Sequence, residues 1–155
     1  NALTAIEALT CAGVTPAHIA MGIERARIPA RMELLPGDIL LDGGHNPQAA
    51  RAVRSALEDS GYERRTAFIG MMNTKDHRAF LQEILPCFDR VYFCDGFSEG
   101  EVPAEELRRI SGLDGAEIFH SPREALKFAR RDHEGGLMYF GGSFYFAAAV
   151  REYLV

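Results

Sequence analysis

The spacing of apolar residues changes once along this chain. From Ala2 to Ala12, Leu3, Ile6 and Leu9 recur at helical spacing, and Gly13 supplies a stop. Thr15-Pro16 sets a capping hydroxyl before a first-turn proline, and Ile19 and Ile23 carry a second helix to about Arg27, before Pro29 breaks it. Residues 1–28 therefore read as a helical pair, and Arg27-Ile28-Pro29-Ala30-Arg31 as a joint between domains. Beyond it the apolar residues come as short continuous runs: Ile39–Leu41, Ala67–Ile69, Val91–Phe93, Leu137–Phe140 and, more weakly, Ala116–Phe119. Continuous rather than alternating apolarity predicts strands buried on both faces, as in a parallel sheet. Helical patterns over 47–59, 76–86, 103–110, 122–131 and 143–154 separate or follow these runs. Strand and helix thus alternate about five times, which predicts an α/β fold with an open, mostly parallel sheet and helices on both faces, preceded by the helical pair.

Composition narrows the class. With 155 residues and 47% hydrophobic content the chain has the material for one sizeable core, so disorder is excluded. No apolar run approaches the roughly 20 residues needed to span a bilayer. Seventeen basic against twenty-two acidic residues give a net charge of −5, which argues against nucleic acid as a partner. Cys11, Cys87 and Cys94 form no CxxC pair and read as reduced core thiols of a cytoplasmic protein. The chain opens at Asn1, without Met and already in a helical pattern, which suggests a piece of a longer polypeptide.

Candidate chemistry lies beyond the carboxyl ends of the strands, where open α/β sheets gather ligands. The first strand ends in Asp42-Gly43-Gly44-His45-Asn46-Pro47. Its acidic residue can accept from ribose hydroxyls, its glycines permit a tight turn, and His45 can reach a phosphate at a helix start. The plainer alternative is that Asn46 caps the helix and Asp42 satisfies the loop backbone. The next strand leads to Lys75, one of only two lysines, and to Asp76, read as a helix cap. After the third, Asp95 and the acidic loop Ser98-Glu99-Gly100-Glu101 are read as solvated rather than metal-binding, and after the last, Ser143 can meet a ligand or cap its helix. His18, His77, His120 and His133 show no ligand spacing. There is no GxxxxGK[ST], GxGxxG or GxSxG motif.

Taken together, Leu41-Asp42-Gly43-Gly44-His45-Asn46-Pro47, Arg31 eleven residues before Asp42, Gly70-Met71 through Lys75-Asp76, and Gly142-Ser143-Phe144 resemble the carboxyl-terminal domain of folylpolyglutamate synthase, often bifunctional with dihydrofolate synthase, in the Mur ligase superfamily. The resemblance covers about the last third of such an enzyme. It implies a Rossmann-like domain of the Mur ligase type over 29–155, with 1–28 as the tail of a central ATPase domain. It further implies an ATP-dependent ligase that adds L-glutamate to a folate through an acyl phosphate, with Mg2+ ligands and phosphate loop outside this chain, and a monomer in the cytoplasm with no membrane partner. By position, Asn1, Arg31 and Asp42 would bind nucleotide, His45 would serve catalysis, and Lys75 and Ser143 would bind the incoming glutamate. Two departures stand out. The family's Pro-Gly-Arg is Pro29-Ala30-Arg31 here, although alanine does not take positive φ freely, and Gly44 replaces the motif's usual alanine, an exchange expected to be harmless. A Mur-type peptidoglycan-precursor ligase domain, a non-catalytic nucleotide-binding module and a metal-dependent hydrolase built on Asp42, His45 and Asp95 are the competing readings.

Overall fold

Each apolar run forms a strand. In the computed structural model, which describes residues 2–132 and 135–155, β1 (Glu33–Leu35), β2 (Ile39–Asp42), β3 (Arg65–Ile69), β4 (Arg90–Cys94), β5 (Ile118–Phe119) and β6 (Leu137–Gly141) build one sheet in the order β1-β2-β6-β3-β4-β5. All neighbours are parallel except β1, which runs antiparallel to β2. Alternate residues face opposite cores. Leu40, Ala67, Ile69, Phe93 and Tyr139 pack under α3 (Pro47–Glu58), α4 (His77–Ile84) and α5 (Ala104–Ser111). Ile39, Leu41, Phe68, Cys94 and Phe140 pack under α6 (Pro122–Arg131) and α7 (Phe144–Arg151). The chain steps one way from β2 through β5 with its helices on one face, then returns through α6 on the other face to set β6 between β2 and β3. Right-handed crossovers require that change of face when the direction reverses. The connections leaving the neighbouring strands β2 and β6 consequently part to opposite faces, and this is the topological switch point of the sheet.

β1 lies outside the expected elements. It has three residues, begins with Glu33 and is only partly buried at the sheet edge, so it carries no apolar run; its signal is the Pro36-Gly37-Asp38 turn, with φ of 84° at Gly37 and 57° at Asp38. α2 (Pro16–Arg25) ends short of Arg27, and the last helix spans 144–151 rather than 143–154. The cysteines are free as expected, but Cys94 alone is buried; Cys87 is partly covered and Cys11 lies exposed on α1 (Ala2–Cys11), because α1 packs on no core. Indeed α1 buries no residue and α2 only Ile19, while Leu3 and Ile28 stand 76% and 64% exposed. No helix among the described residues is long and apolar enough to cross a membrane.

The joint is braced rather than loose. Ala30 takes the left-handed backbone after all, at φ 53°, with its methyl buried beside Ile39 and Leu41. Its N–H donates to Glu33 Oε2 at 2.8 Å, and Glu33 pairs with Arg151 at 3.0 Å, which holds the Glu33 carboxyl below its ordinary range. Glycine at position 30 would relieve about 1 kcal/mol of left-handed strain but forfeit about 0.8 kcal/mol of methyl burial. Ala30→Gly is therefore expected to change unfolding free energy by less than about 1 kcal/mol, read by urea denaturation; a larger loss would mean that packing, not backbone geometry, holds the joint.

Candidate functional site

The ends of β2 and β6, paired through Asp42 and Gly141, collect most of the motif residues. Asp42 is 5% exposed, and both its carboxylate oxygens accept backbone N–H groups: Oδ1 from Gly44 at 2.8 Å and Oδ2 from Met32 at 3.0 Å. Gly43 N–H in turn donates to Ala30 O at 2.7 Å. The carboxylate therefore laces the joint to the strand end, which is the plainer role allowed for it, and it retains lone pairs for further donors. His45 is half-buried, its Nδ1 3.1 Å from Gly43 O. Since a carbonyl only accepts, Nδ1 carries the proton and Nε2 is left for a ligand. Arg31 is exposed, its guanidinium carbon 6.0 Å from the centre of the Phe144 ring, so the joint and the start of α7 meet over the strand ends. Ser143 is buried at the α7 N-terminus, where Oγ accepts from Tyr145 N–H at 3.1 Å.

Both glycines are packed, not merely flexible. An added Cβ at Gly43 would lie 2.8 Å from Phe144 Cδ2 and 2.9 Å from Phe144 Cα. At Gly44 it would lie 2.5 Å from Asp42 Oδ1 and 2.8 Å from Ala49 Cβ, so this packing accommodates the glycine that replaces the motif's usual alanine and would be crowded by the reverse exchange. The start of α3 also offers less to an anion than its sequence implies. Pro47 has no N–H, and Asn46 Oδ1 accepts from Ala49 N–H at 2.9 Å.

Other expected residues stand apart. Lys75 is exposed on the loop after β3, which lies two strands from β2, roughly 10 Å across the sheet. Asp76 caps α4 as expected, accepting from Ala79 N–H at 3.0 Å. Asn1 and His133 lie outside the described residues. Asp95 does not join Asp42 and His45, because β6 and β3 separate β4 from β2. Instead it accepts from Ala104 N–H at 2.8 Å and pairs with His120. The acidic loop is structural: Glu101 accepts from Gly96, Phe97 and Ser98 N–H groups at 2.5, 2.8 and 2.9 Å. Among the described residues no three acidic, histidine or cysteine side chains come together to hold a metal. A cavity of about 370 Å³ lined by Arg64, Arg90, Tyr92, Phe128 and Asp132 opens at the opposite edge, where β3, β4 and β6 begin, and shares no residue with the motifs. Phe144 is the site residue that spacing alone left without a role; its position directly after the Gly142-Ser143 turn was the available signal.

The His120–Asp95 pair gives a pH-dependent prediction. The hydrogen bond to Asp95 and its charge raise the imidazole above its ordinary value of 6.5. A raised folded value means the pair stabilises the fold below that value and is lost as pH rises through the folded one. In an NMR titration His120 is expected to titrate above 6.5, and Asp95→Asn to return it toward 6.5; an unmoved midpoint would show that the pair is not formed in solution.

Comparisons with known proteins identify the family and the fold. A family model described as Mur ligase, glutamate ligase domain matches residues 30–144. The folylpolyglutamate synthase of Lacticaseibacillus casei is 29% identical over 150 residues, covering 92% of this chain and 33% of that protein. A probable bifunctional folylpolyglutamate synthase/dihydropteroate synthase of Halobacterium salinarum is 35% identical over 107 residues, or 68% of this chain and 13% of its own length. The solved structure of E. coli FolC in complex with DHPP and ADP matches with a TM-score of 0.87 at 28% identity, over 98% of this chain and 38% of that one. The bifunctional folylpolyglutamate synthase/dihydrofolate synthase of Yersinia pestis, complexed with AMPPNP and Mn ion, matches with a TM-score of 0.82 at 25% identity, over 90% and 34% of the two chains. This chain thus spans about a third of the Lacticaseibacillus casei protein and of the two solved chains, and less of the Halobacterium protein.

Proposed function

The chain belongs to the Mur ligase family through its glutamate ligase domain, and from that premise we propose that it serves as the carboxyl-terminal domain of a folylpolyglutamate synthase. The reaction is addition of L-glutamate to the terminal carboxyl group of a folate. ATP phosphorylates that carboxylate, and the glutamate amine displaces phosphate from the acyl phosphate to form the amide. The observation that carries this reading is the meeting of Arg31, Asp42, His45 and the Ser143-Phe144 turn at the switch point of the sheet, in a chain similar to solved structures of which one holds ADP and another AMPPNP.

Within this reading the residues divide the work by chemistry. Asp42 uses its remaining lone pairs on ribose hydroxyls, Arg31 reaches the phosphates from the joint, and His45 presents Nε2 toward the phosphates or the reacting carboxyl. Lys75 and the Ser143 hydroxyl take carboxylates of the incoming glutamate. Arg31 and Lys75 supply the positive charge that the capped start of α3 does not. The uncovered apolar side chains of α1 and α2 fit a helical pair that completes the central ATPase domain, with residues 29–155 as the ligase domain proper. That central domain carries the phosphate loop and the Mg2+ ligands. We place the enzyme in the cytoplasm as a monomer.

The experiment follows ADP release by the full-length enzyme with MgATP, glutamate and a reduced folate, omitting one component at a time. Release that needs all three supports the proposal. Release indifferent to folate but dependent on a peptidoglycan precursor would assign the domain to a Mur-type ligase. No release from a folded protein that binds nucleotide would leave a non-catalytic binding module.

A further inference from the structure

One polar group in the core has no partner. Tyr139, in the middle of β6, is completely buried, and its hydroxyl is the one buried side-chain polar atom among the described residues without a hydrogen bond. Its ring stacks on Phe88 at 5.2 Å. Its hydroxyl runs toward the carboxyl end of the strand and lies against Gly141, where an added Cβ would overlap it. Gly141 is the register partner of Asp42. Strand alternation puts Tyr139 and Asp42 on the same face of the sheet, Tyr139 opposite Leu40 and Asp42 two residues further on. Burial first, and then the Asp42 charge, hold the phenol well above its ordinary range.

An unpaired buried hydroxyl is costly, and a phenylalanine would fill the same space without that cost. We infer that Tyr139 is a positioning residue whose hydroxyl finds its acceptor when ligand binds: a ligand oxygen takes the Gly44 N–H, and the Asp42 carboxylate, no longer held there, turns so that Oδ1 accepts from the Tyr139 hydroxyl. One hydrogen bond is given up and two are formed, while Met32 N–H keeps its hold on Oδ2. Tyr139 thereby compensates Asp42 for the donor it yields, and glycine at 141 leaves the passage between the two open. This step rests on the nucleotide reading of the Asp42 loop but not on the identity of the acceptor substrate.

The test is Tyr139→Phe in the full-length enzyme, with two readouts expected to move in opposite senses. The ligand-free variant should melt above the wild type, since the unpaired hydroxyl is gone. Its KM for ATP should rise roughly three- to tenfold, the worth of one hydrogen bond, with kcat changed less than twofold. An unchanged KM overturns the inference, whatever happens to the melting temperature. As a readout independent of turnover and of the variant's folding, 3-fluorotyrosine is incorporated and the Tyr139 resonance followed by ¹⁹F NMR as MgADP is added. A shift of that line supports the exchange, and a line that stays in place under saturating MgADP contradicts it. If the line shifts but the wild-type enzyme shows no folate-dependent ADP release, the ligase reading fails and the Tyr139 exchange survives. If release needs all three substrates and neither KM nor the line responds, the exchange alone fails.

Discussion

Asp42→Ala is expected to reduce ATP-dependent turnover of the full-length enzyme by at least about tenfold and to lower unfolding free energy by about 2–5 kcal/mol. The stability loss follows from the two backbone donors that the ionised carboxylate satisfies, Met32 N–H and Gly44 N–H. Hydrogen bonds to charged groups contribute roughly 1.5–3 kcal/mol each, and the donors left behind are partly or fully buried. The loss of turnover follows from the proposed ribose contact, because about 1.4 kcal/mol of lost transition-state interaction is tenfold in rate. Asp42→Asn separates the two effects. Its side chain has the same shape, but it offers one carbonyl oxygen and an amide nitrogen that must face a donor. This variant should fold, lose about half of that stability and show a raised KM for ATP. Wild-type kinetics from a folded Asp42→Asn or Asp42→Ala enzyme would contradict the nucleotide role and leave Asp42 as the brace of the joint alone.

The brace that Asp42 forms between Met32 and Gly44 shows where reading a sequence stops. The parallel sheet was legible because strands buried on both faces must be apolar at every position, as Ile39–Leu41 and Leu137–Phe140 are. β1 was not, since an edge strand of three residues with Glu33 and an exposed Leu34 has no run to read. The candidate residues were legible as types at strand ends, but their grouping depends on strand order. Only the return of β6 between β2 and β3 brings Ser143 and Phe144 beside Asp42 and puts Asp95 two strands too far away. Spacing carries no information on that return. Likewise the hydrogen bond from Met32 to Asp42 spans ten residues beside what spacing presented only as a joint between domains. The left-handed Ala30 shows the converse, a backbone geometry kept without the glycine that favours it.

The sharpest check on the motif itself is the pair of glycines it contains. Gly43→Ala is expected to cost about 1–3 kcal/mol or more, and Gly44→Ala somewhat less. Neither lies at positive φ, so the cost is one of space rather than backbone conformation. The Gly43 methyl meets Phe144 at Cα as well as on the ring, and a backbone atom at the start of α7 cannot be trimmed away. Phe144→Ala in the same chain should therefore recover only part of the loss. The Gly44 methyl meets two side chains, Asp42 Oδ1 and Ala49 Cβ. Ala49→Gly removes the second contact at a helix-propensity cost of about 1 kcal/mol, so Gly44→Ala combined with Ala49→Gly should be less destabilised than the sum of the two changes. The remainder must come from displacement of the Asp42 carboxylate, and it should vanish in an Asp42→Ala background. Denaturant unfolding of the four combinations at positions 44 and 49 measures this directly. Strict additivity would show that the loop moves away from the new methyl, in which case the motif's usual alanine fits here too and the close seat of Asp42 over Gly44 is not what holds the loop.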